Sequence, residues 1–142
     1  MTQEYSGRSD LWLDYYVANT RLLVAVNCWI EGYPTRLVAL LDTSADWCVL
    51  PVSIATVIGC DLRPDPELQP FHSRFGIHRG RLERIGIRFP AGEGSDLELE
   101  STCFVCEDWP GEVVIIGWKG CLERMRFGLD AATETFYFGE PD

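Results

Sequence analysis

The sequence has few basic residues: 12 Lys and Arg stand against 22 Asp and Glu, a formal net charge of −10. Binding of phosphate groups depends on clustered Lys and Arg, so this deficit argues against a nucleic-acid partner. The basic residues that do cluster are Arg74, His78, Arg79, Arg81, Arg84 and Arg88. We interpret them as the solvated face of a hairpin, or alternatively as a surface for an acidic substrate or partner subunit.

Long apolar runs are also absent, since no segment approaches the roughly 20 residues that a membrane-spanning helix needs. Residues 1–10 lack the charged-then-apolar pattern of a secretory signal. We therefore expect no membrane partner and a cytoplasmic location. The 142 residues, with 46% hydrophobic and 24% charged composition, suit one globular domain, residues 1–142, built around a single core.

Histidine is scarce, and the spacing of His72 and His78 produces no Cys-His or Ser-His-Asp arrangement. The six cysteines could form disulfides or a metal site, but without a secretory signal we expect reduced thiols. Cys103 and Cys106 form a lone C-x-x-C in a strand-like run, where residues three apart point to opposite faces. We therefore predict small buried hydrophobes and no metal or cofactor. A small metal or redox domain built on these thiols stays an alternative.

Short apolar or alternating segments separated by Gly, Pro, Asn and Asp predict an all-β fold. The predicted strands cover residues 11–17, 22–30, 36–41, 49–50, 97–106, 113–116, 127–130 and 135–138, with a hairpin over residues 71–89. Two short helical segments are expected. Pro51 suits the first turn of a helix over 51–58 and Gly59 its end, and residues 118–125 have room for one or two turns.

The segment Leu40-Leu41-Asp42-Thr43-Ser44-Ala45 places an ionisable residue directly after an apolar run. A buried carboxylate is costly unless hydrogen-bond donors surround it. Two hydroxyl side chains and the closely spaced backbone N–H groups of a tight turn would supply such donors. The pattern therefore indicates a carboxylate held for general acid–base chemistry.

The Asp-Thr-Ser-Ala loop after an apolar strand resembles the active-site loop of retropepsin-like aspartic proteases. Two further landmarks occur in the same order as in that family. Val113-Val114-Ile115-Ile116-Gly117 is similar to its apolar-apolar-Gly segment, and residues 71–89 stand where it has its flap hairpin. The resemblance spans about residues 24–138 and implies a single-domain acid-protease barrel with a flap hairpin and one or two short helices.

The resemblance also implies residue roles and an aspartic endopeptidase activity. Asp42 matches the catalytic Asp, Thr43 the residue that hydrogen-bonds across a dimer axis, and Ser44 a residue that helps to position the carboxylate. A peptide or protein substrate would then be bound by Ala45, Asp46, Trp47, Phe75, Gly76, Ile77, Ile116 and Gly117. Trp47 has a second interpretation as a core or interface residue.

Aspartic-protease chemistry needs two carboxylates around one water, and this sequence contains only one Asp-Thr-Ser/Gly motif. Asp130, followed by two alanines, lacks hydroxyl neighbours. The resemblance therefore implies a homodimer in which each subunit supplies one Asp42.

Two positions depart from the family pattern. Ser44 stands where most retropepsins have Gly, and Trp118 follows Gly117 where the family has an Arg that pairs with the residue matching Asp46. Lys119 or Arg124 could substitute for that Arg. These departures leave open a catalytically silent peptide-binding or dimerisation module of the same fold.

Overall fold

The computed structural model describes residues 5–15, 23–60, 69–73, 76–106, 109 and 112–141. Within these ranges the chain forms eleven β-strands and two short helices. The first strands are β1 (Gly7–Tyr15), β2 (Leu23–Ile30), β3 (Leu37–Leu41) and β4 (Cys48–Pro51), followed by the helix α1 (Val52–Val57). The remaining strands are β5 (Gln69–Ser73), β6 (Gly76–Phe89), β7 (Glu93–Gly94), β8 (Leu97–Cys106), β9 (Val114–Ile116), β10 (Arg126–Asp130) and β11 (Thr135–Gly139), with a 3₁₀ helix at Leu122–Arg124.

The strands form one mixed sheet in the order β10-β11-β1-β2-β3-β9-β4-β8-β6-β5, and β7 pairs with β1. A further pairing between β2 and β6 closes a ring that runs through β3, β9, β4 and β8. Closure removes the exposed edges of these strands. The all-β barrel predicted from the sequence is therefore confirmed.

In the sheet, strand β9 lies between β3 and β4. β9 runs parallel to β3, with Leu41 opposite Ile116, and antiparallel to β4, with Val49 opposite Ile115. All three residues of β9 are buried, which explains their uninterrupted apolar sequence. The chain that leaves β3 at residue 42 is therefore held beside the chain that leaves β9.

The two short helices were both predicted. Helix α1 begins after Pro51 and buries Ile54 and Ala55, and Gly59 follows its end with φ +86°. A left-handed φ is accessible to glycine at little cost, which is why the helix ends there. The 3₁₀ helix is shorter than the predicted segment over 118–125. None of the helices in the described ranges is long and apolar enough to cross a membrane.

The hairpin formed by β5 and β6 is the flap hairpin of the fold, and its turn differs from the sequence expectation. The sequence suggested a tip at residues 75–78, but Ile77 and His78 already pair with β5. The last pair joins Ser73 to Gly76, where φ is +110°, a value that glycine accommodates. Residues 76–78, which the sequence assigned to the tip, therefore belong to the paired strand β6. Phe75, predicted to contact substrate, lies outside the described residues.

Four buried thiols pack together in the core: Cys28, Cys48, Cys103 and Cys121. The pKa of Cys48 is raised mainly by its interaction with the Cys103 thiol and also by burial. The pKa of Cys121 is raised mainly by its interaction with the Cys48 thiol and also by burial. Burial raises the pKa of Cys28 to about 12. A thiol with a raised pKa is a poor nucleophile, so these residues act as small hydrophobes.

Cys103 and Cys106 pack into different core clusters, as expected for positions three apart on β8. Among the described residues, no group of three or more His, Cys, Asp or Glu side chains is placed to hold a metal ion.

Cys60 is the half-exposed cysteine, and the other five are buried. Although burial also raises the pKa of Cys60, we expect it alone to react with iodoacetamide near pH 8, because the other thiols are out of reach. Mass spectrometry of the folded protein should show one adduct, and the denatured protein six. Cys60→Ser should remove the native-state adduct. Rapid labelling of Cys48 or Cys121 in the folded chain would contradict the packed core.

Candidate active site

Asp42 is buried, with 3% of its surface exposed, directly after the end of β3. The turn that follows it supplies two donors to the same carboxylate oxygen. The Ser44 backbone N–H donates to Asp42 Oδ1 at 3.0 Å, and the Ser44 hydroxyl donates to it at 2.5 Å. These hydrogen bonds offset the cost of removing the carboxylate from water.

The loop is closed by backbone hydrogen bonds on both sides of Asp42. The Ala45 N–H donates to the Asp42 carbonyl at 3.1 Å, and the Asp42 N–H donates to the Ile116 carbonyl at 3.0 Å. Further along, Trp118 N–H donates to the Ala45 carbonyl at 2.9 Å and Lys119 N–H to the Asp46 carbonyl at 2.7 Å. The segment after β9 therefore holds the Asp42 loop along most of its length.

Gly117 has a steric reason to be glycine. A Cβ atom at this position would collide with the carbonyl oxygen of Trp47 and would lie 3.0 Å from that of Ala45. Its N–H points to Cys48 Sγ at 3.4 Å. The glycine thus lets the segment after β9 approach the loop closely enough to form the hydrogen bonds described above.

The predicted substrate-binding residues fall into two groups. Gly76 and Ile77 are exposed on the flap, and Asp46 and Trp47 are half-buried beside the loop. Ala45, Ile116 and Gly117 are buried and support the loop from beneath, so in this protomer they offer a ligand no open surface. Thr43 and Ser44 are exposed at the loop surface.

Trp47 packs against the smaller of the two core clusters, edge-on to Phe104 with ring centroids 6.4 Å apart. Lys119 Nζ lies 5.5 Å from the centroid of the Trp47 ring, within the range of a cation–π contact. Lys119, the first cationic residue after Gly117, therefore contacts the Trp47 indole.

Neither candidate replacement for the family Arg pairs with Asp46 in the described part of the chain. Lys119 lies over Trp47, and Arg124 donates to the backbone carbonyls of Glu100 and Gly120 at 2.6 and 3.5 Å. Neither residue therefore rebuilds the ion pair expected of the family.

Sequence reasoning missed one contact between the flap and the rest of the site. The His78 ring on β6 packs edge-on against Trp109, with centroids 4.8 Å apart. Trp109 is buried in the same cluster as Ala45 and Ile115, and its indole N–H donates to the Val113 carbonyl at 2.8 Å. An aromatic at 109 and a histidine in the predicted flap were the available signals, but only the fold brings them together.

The comparisons with known proteins agree with the fold. A crystal structure of a retropepsin-like aspartic protease from Rickettsia conorii superimposes with a TM-score of 0.50 at 18% sequence identity, covering 80% of this chain and 87% of that one. No family model and no curated protein matches the sequence. At this identity the likeness concerns architecture, so the chain has a retropepsin-like fold with a carboxylate in the loop after β3.

The tight approach at Gly117 leads to a stability prediction. We expect Gly117→Ala to lower the free energy of unfolding by roughly 1–3 kcal/mol, because the methyl group forces the loop and β9 apart. Gly92→Ala is the matched control, since its Cβ would lie 3.7 Å from the Arg8 carbonyl oxygen, an ordinary contact. Urea denaturation measures both, and equal stabilities would contradict the steric role of Gly117.

Proposed function

We propose that this protein is an aspartic endopeptidase that works as a homodimer, with one Asp42 from each single-domain subunit. The observation that carries the proposal is the Asp42 carboxylate, buried after β3 and held by two donors from Ser44. The retropepsin-like fold and the flap hairpin support it. We also propose a cytoplasmic location, where cysteine thiols stay reduced.

The proposed reaction needs two carboxylates because one group must accept a proton while the other donates one. Two carboxylates held close together cannot both ionise easily, so the pair shares one proton. The ionised Asp42 removes a proton from a water molecule as that water attacks the peptide carbonyl carbon. The protonated Asp42 of the other subunit donates a hydrogen bond to the developing oxyanion.

Collapse of the tetrahedral intermediate completes the proposed cycle. The carbonyl re-forms, the C–N bond breaks, and a carboxylate–carboxylic acid pair protonates the leaving amine. The products are a new carboxyl terminus and a new amino terminus. No cofactor takes part in these steps.

The substrate in this proposal is an extended peptide beneath the flap, bound partly by strand-like backbone hydrogen bonds. Ile77 would cover it with an apolar surface that excludes water. Asp46 and Trp47 would line one side of the cleft. The His78–Trp109 contact would fix strand β6 of the flap to the core that supports the catalytic loop.

The decisive variant is Asp42→Asn, which keeps the shape of the side chain but cannot act as the base. We expect kcat/KM for a diverse peptide mixture to fall by about 10²–10⁴-fold or more, with the circular dichroism spectrum unchanged. Asp130→Asn is the control, because Asp130 only accepts hydrogen bonds from Ala132 and Thr133 in a turn. Cleavage retained by Asp42→Asn would refute the proposal.

Wild-type protein that folds, dimerises and binds extended peptides without turnover would instead favour a silent binding module. Two features favour that alternative. The Ser44 side chain stands at a position usually held by Gly, and Asp46 forms no ion pair in the described part of the chain.

A second prediction concerns the flap. Ile77 is 67% exposed in the protomer, so its truncation should leave folding unaffected. We expect Ile77→Ala to raise KM several-fold while the melting temperature stays constant, because the lost contact is made only with substrate. Leu129→Ala, a similar truncation of an exposed side chain on β10, should change neither value. A large fall in melting temperature with constant KM would show that Ile77 has a structural role.

A further inference from the structure

A groove of about 570 Å³ lies where the end of β2 meets β6 and β8. Its walls combine aromatic, aliphatic and acidic side chains, among them Trp29, Tyr33, Leu99, Glu31, Glu98 and Glu100. In the antiparallel pair of β2 and β3, Cys28 lies opposite Leu37, the residue at which β3 begins. Trp29 follows Cys28, whereas Asp42 follows the other end of β3. The groove therefore lies away from the Asp42 loop.

The surface of this groove already holds one guanidinium group, that of Arg88. Arg88 on β6 pairs with Trp29 on β2, and its guanidinium carbon lies 5.2 Å from the centroid of the indole ring. The same guanidinium donates to Asp96 Oδ2 at 2.9 Å. An aromatic face and a carboxylate are the two partners that suit a planar guanidinium group best. The groove thus offers the chemistry that recognises arginine.

Two carboxylates of the groove have no cation to pair with. Glu98 lies directly opposite Arg88 in the β6–β8 pair, but Arg88 forms its ion pair with Asp96. Among the residues that the structure describes, neither Glu31 nor Glu98 forms an ion pair, and both are exposed. Glu100, the third acid, already pairs with a neighbouring arginine at 3.2 Å. Uncompensated negative charge therefore stands beside an aromatic surface.

The turn that carries Glu31 is held in place by its backbone. The Glu31 N–H donates to the Gly86 carbonyl at 2.9 Å. The Tyr33 N–H donates to the Ile30 carbonyl, also at 2.9 Å. A Cβ atom at Gly86 would collide with the Glu31 carboxylate, so the glycine provides the space in which this side chain lies. A ligand would therefore meet a preorganised carboxylate, which lowers the entropic cost of binding.

We propose that this groove binds an arginine side chain in a peptide segment of a partner protein, with neighbouring apolar residues of that peptide packed on Tyr33 and Leu99. The guanidinium would pair with the two carboxylates that lack a cation, Glu31 and Glu98. Charge complementarity favours a basic occupant, because the groove presents three acids against one arginine that is already paired, on a chain with a formal net charge of −10. The inference goes beyond the proposed function and does not depend on it.

The test is the dissociation constant of a short capped peptide in which arginine alternates with leucine, measured by isothermal titration calorimetry. We expect Glu31→Gln/Glu98→Gln to raise this constant about tenfold, the effect of losing two exposed charge pairs. Asp10→Asn/Glu112→Gln is the matched control, because it removes the same formal charge at exposed positions outside the groove. The control should bind like wild type. Equal weakening in both double variants would overturn the inference, since general charge attraction would then explain the binding.

Two further titrations identify the cation and the place of binding. The same peptide with lysine in place of arginine should bind several-fold more weakly, because an ammonium group cannot pair with carboxylates through a planar fork. Asp42→Asn should bind the arginine peptide with an unchanged dissociation constant. Equal affinity for the lysine peptide, loss of binding in Asp42→Asn, or no binding by wild type would overturn the inference. These titrations measure binding alone, so their outcome is independent of whether the protein cleaves peptides.

Discussion

A buried carboxylate at the end of a strand is costly without hydrogen-bond donors, and the surrounding fold positions such donors beside Asp42. Ser44 supplies both donors, but it can do so only because the loop is held in a tight turn. That turn depends on β9, which lies between β3 and β4 and delivers a glycine against the loop backbone. The barrel closure through β2 and β6 keeps β9 in place. The geometry around this carboxylate therefore depends on strand pairings between distant parts of the chain.

The local features of the fold could be predicted from the sequence because they follow from residue type and spacing. The Asp42 loop, the apolar β9, the helix between Pro51 and Gly59, and the C-x-x-C on a strand are all of this kind. The family resemblance implied a barrel, but the residues alone could not show that β2 and β6 close it, because strand pairing between distant segments has no local signal. The flap turn was misplaced for a local reason: any of several residues near Gly76 could have formed it.

The surroundings of the candidate site were less predictable than Asp42 itself. The sequence offered Lys119 or Arg124 as partners for Asp46, but the fold directs Lys119 to Trp47 and Arg124 to backbone carbonyls. Long cationic side chains reach many positions, so spacing alone cannot choose among them. The thiol cluster was also unforeseen, and Cys48 Sγ there lies against the Gly117 N–H. The thiol cluster therefore contacts the segment that holds the Asp42 loop.

The central claim is that both Asp42 carboxylates of a dimer are required, and subunit mixing tests it most directly. Wild type and Asp42→Asn would be exchanged at a constant total concentration above the dissociation constant of the dimer, with cleavage measured as the wild-type fraction is lowered. If each active dimer needs two Asp42 residues, activity follows the square of that fraction, so an equal mixture keeps about one quarter. A linear decline, with about one half remaining in the equal mixture, would mean that each subunit works independently, and about three quarters remaining would mean that one Asp42 per dimer suffices; either result would contradict the shared site.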